Sequence, residues 1–322
     1  MNNIILINPE NKEKLLEKDS FLLGESGKKF PIINNIPRFV SQDNYTKNFG
    51  FQWNKFKETQ LKKNMLGEDL NFKRFFAETS WSKKDLDDSN ILEVGSGAGR
   101  FTRVVLEHSK AFLFSIDSSS SVDANLNNNK GYQNRLNLFQ ADIASLPFEN
   151  HSFDKIFCLG VLQHTSDYKV SLNEMLKKLK KGGEIVVDFY PYKGFFTKIH
   201  AKYFFRNFTK NLKHETLLSL IENHIGKVRK VYNILDKLKL HLLTRFLPIC
   251  DIKKTIPKNI DEKTLSEWIV LDTFDMFSPK YDNPLKIKDI KNFFENKNCK
   301  IIFAGFKEYE KMKVAVVKAV KY

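Results

Sequence analysis

The run Ile91-Leu92-Glu93-Val94-Gly95-Ser96-Gly97-Ala98-Gly99-Arg100-Phe101 carries the residues best suited to chemistry in this chain. An apolar stretch that reads as a buried strand meets a turn with glycine at alternate positions, and a helix follows. Without a Cβ, glycine lets the backbone turn tightly and approach a ligand closely. The helix start then offers free N–H groups and the positive end of a dipole. Such a turn suits the ribose and amino-acid end of a nucleoside cofactor, and equally the phosphates of a dinucleotide.

Three acids and one histidine extend this set. Glu93 adjoins the turn, and a buried acid is costly without a partner. It either organises the loop as a cap or meets a ligand ammonium, directly or through water. Asp117 lies 20 residues beyond Gly97, where a carboxylate accepts from both hydroxyls of a ribose. The competing reading is an N-cap on the serine-rich helix start at Ser118–Ser121. Asp142, in Gln140-Ala141-Asp142-Ile143, is placed to accept from the exocyclic amine of an adenine, with Ile143 against the ring; otherwise it caps its own loop. His164 follows a strand that ends in Cys158-Leu159-Gly160, and is either a general base or a packed structural histidine.

These residues need a scaffold, and the pattern from Asn90 onward supplies one. Strands are expected at Ile91–Val94, Ala111–Ile116, Leu136–Phe139, Phe153–Leu159 and Glu184–Tyr190. Helices are expected at Arg100–His108, Ser120–Asn129 and Val170–Leu179, the last stopped by Lys180-Lys181-Gly182-Gly183. Such alternation predicts a parallel sheet covered on both faces. After an interruption it resumes with a helix near Ile287–Glu295 and strands at Lys300–Ala304 and Val314–Ala319. The polar stretch Lys307–Lys313 joins those two strands as an edge hairpin. Ahead of the sheet, Phe30–Phe39 reads as a strand, an Asn34-Asn35 turn and a second extended piece. Tyr45–Lys63 reads as an aromatic helical arm, either packed on the core or closing over a pocket.

Composition narrows the function classes. Three cysteines, far apart and without a CxxC pair, argue against a zinc ribbon or a disulfide framework. No signal-peptide pattern opens the chain and no apolar run approaches a membrane span, so a cytoplasmic protein is expected. The net charge of +15 is concentrated: residues 191–260 hold fifteen Lys/Arg against four Asp/Glu.

The residues Glu93-Val94-Gly95-Ser96-Gly97-Ala98-Gly99, Asp117, Ala141-Asp142-Ile143, Phe153-Asp154, Gly160-Val161-Leu162-Gln163-His164 and Lys181-Gly182-Gly183-Glu184 together resemble the class I S-adenosylmethionine-dependent methyltransferases. The resemblance covers about residues 88–190. It implies an α/β fold with a Rossmann-like seven-stranded, mostly parallel sheet whose last strand is antiparallel. It implies S-adenosyl-L-methionine as cofactor, held by Glu93, Gly95, Ser96, Gly97, Gly99, Asp117, Ser118, Asp142, Ile143, Leu159 and Gly160. A dinucleotide oxidoreductase loses ground because the loop is GxGxG, with Arg100 where a GxGxxG fingerprint has its third glycine. The Phe30–Phe39 stretch resembles the end of a small zinc-binding leader found in some of these enzymes. Leu22–Gly27 lacks that leader's cysteines, so no metal is expected. Phe49–Phe56 with Leu271–Tyr281 resembles a subgroup associated with surface-polysaccharide gene clusters.

The expected division is a leader (1–45), an arm or lid (46–88), a cofactor-binding core (89–190), a basic helical insertion capping the acceptor (191–284) and the end of the sheet (285–322). Candidate bases for an incoming nucleophile are His164, Asp272, Asp275 and Tyr281; for the last three the competing reading is a capped turn. The insertion reads as a solvated cap, as a site for an anionic acceptor, or as a membrane-surface patch, with Phe195-Phe196 and Tyr203-Phe204-Phe205 beside Lys198, Lys202 and Arg206. The expected acceptor is a small molecule or saccharide. The alternatives are an RNA or protein methyltransferase, or a non-catalytic adenosyl-ligand binder. Charge alone permits nucleic acid, but no aromatic RNA-reading motif is present.

Overall fold

The computed structural model describes residues 4–41, 44–310 and 312–322, with Phe196 and Lys198 described in backbone only. The first four strands are β1 (Leu15–Lys18), β2 (Phe21–Gly24), β3 (Lys29–Ile33) and β4 (Ile36–Pro37). They form a small antiparallel sheet in sequence order. Asn34 and Asn35 both adopt positive φ, 55° and 61°, the backbone that a two-residue hairpin turn requires. This leader docks on the main body through Arg38, which pairs with Asp123 at 2.7 Å and donates to Gln140 Oε1 at 3.2 Å.

The main sheet comprises β5 (Asn90–Val94), β6 (Phe112–Asp117), β7 (Leu136–Gln140), β8 (Phe153–Cys158), β9 (Leu179–Phe189), β10 (Cys299–Tyr309) and β11 (Met312–Lys321). Its order is β10-β11-β9-β8-β5-β6-β7. The pairings from β7 through β9 are parallel, and β11 runs antiparallel to both its neighbours. Every residue of β5 is buried, as expected of a strand covered on both faces. Its neighbours divide accordingly: Leu92, Val94, Phe114, Ile156 and Val187 join one apolar cluster, and Ile91, Leu113, Phe157 and Val186 join another.

Helices α1 (Lys47–Lys55), α2 (Leu70–Thr79), α3 (Arg100–His108), α4 (Ser121–Asn128) and α5 (Tyr168–Lys178) precede the insertion. The insertion contributes α6 (Ala201–Thr209), α7 (His214–Lys237) and α8 (Glu262–Phe277), and α9 (Ile287–Glu295) returns the chain to the sheet. Phe75, Val104 and Val122 cover one face of the sheet; Leu172, Met175, Ile290 and Phe294 cover the other. Short helical turns lie at Lys83–Leu86, Phe195–Lys198, His241–Thr244 and Ile252–Thr255. Among the described residues, no helix is long and apolar enough to cross a membrane.

Two expectations about strand extent need correction. Lys180–Gly183 does not separate helix from strand: β9 starts at Leu179 and runs through it, with a register shift against β8 between Phe153 and Lys155. The glycines make this irregularity tolerable, since Gly182 has φ +74° and a Cβ on Gly183 would lie 2.9 Å from the Asp154 carbonyl. At the C-terminal hairpin, Lys307–Tyr309 pairs with Met312–Val314 rather than forming a polar link. Phe306 and Glu308 are exposed on one face, and Lys307 and Tyr309 are half-buried on the other, so an edge strand continues through a stretch rich in charge.

Candidate active site

Parallel strands β5, β6, β8 and β9 end at one edge, and the strand order reverses between β5 and β8. Open α/β sheets bind ligands in the crevice this creates. A cavity of about 540 Å³ occupies it here. The glycine turn, Asp117, Ser118, Ala141, Ile143 and Leu159–Val161 form its floor; α1 and α8 contribute the opposite wall.

The three glycines serve different ends. All have positive φ, at +79°, +52° and +85° for Gly95, Gly97 and Gly99. A Cβ on Gly95 would lie 2.2 Å from Val161 Cγ2, and one on Gly97 would lie 3.2 Å from the Trp53 indole nitrogen. On Gly99 it would strike Asn125 Oδ1 at 2.2 Å. Gly99 is absent from the cavity wall; it lets α3 approach α4, and its expected cofactor contact is corrected to a packing role.

The acids also separate. Asp117 Oδ2 accepts from Gly97 N–H at 3.0 Å, while Oδ1 accepts from Ser119 N–H at 2.8 Å and Ser119 Oγ–H at 2.7 Å. It ties two loops together on the wall, and Oδ2 retains acceptor capacity for a ligand hydroxyl. Glu93 lies beneath the turn and is absent from the wall. It accepts from Thr102 and Ser115 hydroxyls, and burial pushes its pKa up to about 7. Of its two expected roles, organising the loop agrees with this geometry and touching the ligand does not. Asp142 is likewise off the wall. Its Oδ1 accepts from Ala144 N–H at 2.8 Å, which is the loop-capping alternative. The neighbouring Tyr45 lines the cavity instead, its hydroxyl held protonated by burial and by the charges of Asp142 and Asp117.

Ser118 lines the cavity with its Oγ 2.8 Å from Thr46 Oγ1. Leu159 and Gly160 line it too, and Gly160 N–H donates to Asp188. Gln52 Oε1 and Ser96 Oγ are buried on this wall without a hydrogen-bond partner among the described residues. Unpaired buried acceptors are costly, and both fit a ligand that brings its own donors, such as an ammonium or a ribose.

Of the expected bases, His164 reaches the wall and is 7% exposed. Its Nδ1 lies 3.0 Å from the Tyr281 carbonyl, and Phe49 and Tyr190 pack its ring at centroid distances of 5.1 and 5.7 Å. A carbonyl only accepts, so Nδ1 carries the hydrogen and Nε2 is the basic nitrogen. The Tyr281 side chain is absent from the wall and packs on Tyr45 at 5.5 Å. Its candidacy as a base is therefore corrected: its carbonyl orients His164. Asp272 and Asp275 are not in a capped turn either. Both lie inside α8, one turn apart, and both line the cavity. Burial, reinforced by the charge of Asp275, raises Asp272 to about 7.

Several wall residues escaped the sequence reading. Arg74, from α2, pairs with Glu78 at 2.7 Å and with Asp188 at 2.8 Å. Arg100 opens α3 and makes no ion pair among the described residues; burial and the Arg74 charge lower its pKa to about 10. A guanidinium in that position favours an anion. Asp188 had a readable signal, a carboxylate at the carboxyl end of a parallel strand. Arg74 had none, because its approach depends on how α2 crosses the sheet.

Residues 92–187 match the family described as a methyltransferase domain. The chain is 28% identical over 169 residues to the ubiquinone/menaquinone biosynthesis C-methyltransferase UbiE of Haemophilus ducreyi, spanning 46% of this chain and 64% of that protein. It is 30% identical over 111 residues to a tRNA U34 carboxymethyltransferase of Nautilia profundicola, spanning 32% and 35% of the two chains. It thus covers less than two thirds of each of these relatives' length. A superposable solved structure is the N-methyltransferase NodS of Bradyrhizobium japonicum in complex with S-adenosyl-L-homocysteine, at 13% identity, 87% and 99% coverage and a TM-score of 0.48. Residues 92–187 are therefore a methyltransferase domain. The matched segment runs from β5 to β9 of the mostly parallel seven-stranded sheet. The arm and the insertion lie outside the matched segment.

Proposed function

We propose that this protein methylates a hydroxyl group of an anionic small-molecule or saccharide acceptor, using S-adenosylmethionine. The observation that carries the reading is Asp272, a carboxyl with pKa near 7 on the cavity wall formed by α8. A hydroxyl nucleophile gains from a base poised near the working pH. When bound, the cofactor supplies a sulfonium methyl that is already electrophilic.

The chain's own work is alignment and proton handling. Asp117 would receive the ribose hydroxyls, and Ala141 and Ile143 would pack the adenine. Ser96 and Gln52 would meet the amino-acid end, and Arg100 its carboxylate. Trp53 and Tyr45 roof these contacts and exclude water. Asp272 would take the proton of the acceptor hydroxyl, and the Asp275 charge keeps the Asp272 pKa raised for that task. His164, with Nδ1 committed to Tyr281, orients the acceptor through Nε2. Lys193, on the same wall and without an ion pair among the described residues, favours an anionic acceptor. Alignment of this kind supplies several kcal/mol of rate acceleration.

The test is a panel of hydroxyl-bearing anionic acceptors, nucleotide sugars and sugar phosphates first, with S-adenosylhomocysteine release as readout. The expected result is turnover at an oxygen, cut at least ~100-fold in Asp272→Asn with cofactor affinity retained. Methylation at nitrogen or carbon, or full turnover in that variant, would remove the assignment.

A further inference from the structure

The insertion exposes apolar residues on a scale that a solvated cap does not need. Phe204 and Phe208, four residues apart on α6, are 69% and 71% exposed. On the adjoining segment Leu242 is 74% and Phe246 57% exposed, and Ile234 and Leu238 continue the apolar row along the end of α7. The two segments lie side by side. Ala201 N–H donates to the Arg245 carbonyl at 2.9 Å, and the Arg245 guanidinium returns hydrogen bonds of 3.1 and 3.2 Å to the Ile199 carbonyl. Exposed apolar residues joined in this way form a patch that calls for a partner.

The charge of the same segment says which partner. Residues 191–260 hold fifteen Lys/Arg against four Asp/Glu. Lys210, Lys213, Lys237 and Lys239 are exposed and make no ion pair among the described residues. A second copy of the chain would bring an equally basic face against this one. An anionic bilayer instead receives the aromatic and leucine side chains at its headgroup boundary and pairs with the lysines.

We propose that this face of the insertion docks on an anionic lipid bilayer. His200, Lys202 and Lys254 of the same insertion line the cavity, so docking holds the cavity close to the bilayer. On the methyltransferase reading, the acceptor is then a polar headgroup or saccharide carried on a lipid anchor, presented from the bilayer rather than from bulk water.

The docking claim is tested without turnover. Full-length protein is sedimented with vesicles of phosphatidylcholine alone and of phosphatidylcholine mixed with phosphatidylglycerol, at low and high salt. The expected result is binding to the mixed vesicles that falls at high salt, and weak binding to the neutral ones. Phe204→Ser/Phe208→Ser and Leu242→Ser/Phe246→Ser should each reduce binding at least ~10-fold; both leave the cofactor wall untouched, so S-adenosylhomocysteine affinity should hold and report folding. Equal sedimentation of wild type and both variants overturns docking, as does a concentration-dependent dimer that the variants dissociate. If vesicles bind but S-adenosylhomocysteine does not, the membrane face stands and the methyltransferase reading fails.

Discussion

Replacing Gly95 with alanine separates the two constraints that the turn imposes. The backbone there has φ +79°, and holding an alanine in the left-handed region costs about 1–2 kcal/mol. The new methyl would lie 2.2 Å from Val161 Cγ2, which requires Val161 or the turn to move. Overpacking of that kind costs about 1–3 kcal/mol. Gly95→Ala should therefore destabilise the fold by about 2–5 kcal/mol in urea unfolding. Gly95→Ala/Val161→Ala should relieve the steric share and leave the backbone share. A double-mutant cycle should return a favourable coupling of about 1–3 kcal/mol. Because Gly95 and Val161 both line the cavity, S-adenosylhomocysteine affinity should weaken at least ~10-fold in Gly95→Ala and recover partly in the double variant. Additive single effects, within about 0.5 kcal/mol, would refute the steric reasoning.

Glu93 predicts a pH effect with a definite sign. Its pKa is raised to about 7 in the fold, so the folded state binds a proton more tightly than the unfolded chain. The favourable contribution is complete below the unfolded pKa and is lost as pH rises toward 7; it amounts to about 3 kcal/mol. Urea midpoints of the wild type minus those of Glu93→Gln should show this decline between about pH 4.5 and 7; a flat difference contradicts it. Turnover should depend on a deprotonated group near pH 7, and Asp275→Asn should move that limb toward lower pH, because the Asp275 charge helps raise Asp272. An unmoved limb would exclude Asp272 as the base. Trp53→Ala should weaken S-adenosylhomocysteine binding about tenfold and abolish most of the ligand-induced change in tryptophan fluorescence, since this indole faces Gly97. An unchanged fluorescence response would place the ligand away from the arm.

Much of the sheet was legible because parallel strands buried on both faces write nearly continuous apolar runs, as Ile91–Val94 and Ile185–Phe189 do, broken only by Glu93 and Asp188. The edge strands were less so. β10 and β11 mix charged residues into their apolar runs, and their ends blend into what reads as a polar link. The glycine turn could be located from spacing, but the separate duties of its glycines could not. Gly97 and Gly99 differ only in what reaches them, an indole from α1 and an asparagine from α4. Likewise Asp117 and Asp142 occupy similar strand-end positions in sequence. Only the first turns its carboxylate onto the cavity, while the second closes on Ala144 N–H. Asp272 and Asp275 were candidates from the sequence, but their place inside a helix on the wall was not, and Arg74 reaches the wall through a helix that belongs to no local motif. Their convergence follows from tertiary packing, such as the Phe51–Phe274 contact between α1 and α8 at 5.6 Å.

The most direct test is a calorimetric titration of the purified protein with S-adenosylmethionine and S-adenosylhomocysteine, with NAD as control and Asp117→Ala alongside. Binding of both adenosyl ligands in the micromolar range is predicted, with no heat from NAD. In Asp117→Ala the affinity should fall at least ~10-fold while the melting transition remains cooperative, because the variant loses the ribose acceptor and the Gly97 N–H contact together. Preference for NAD, or undiminished adenosyl binding in the variant, would contradict the assignment of the glycine turn and Asp117 to this cofactor.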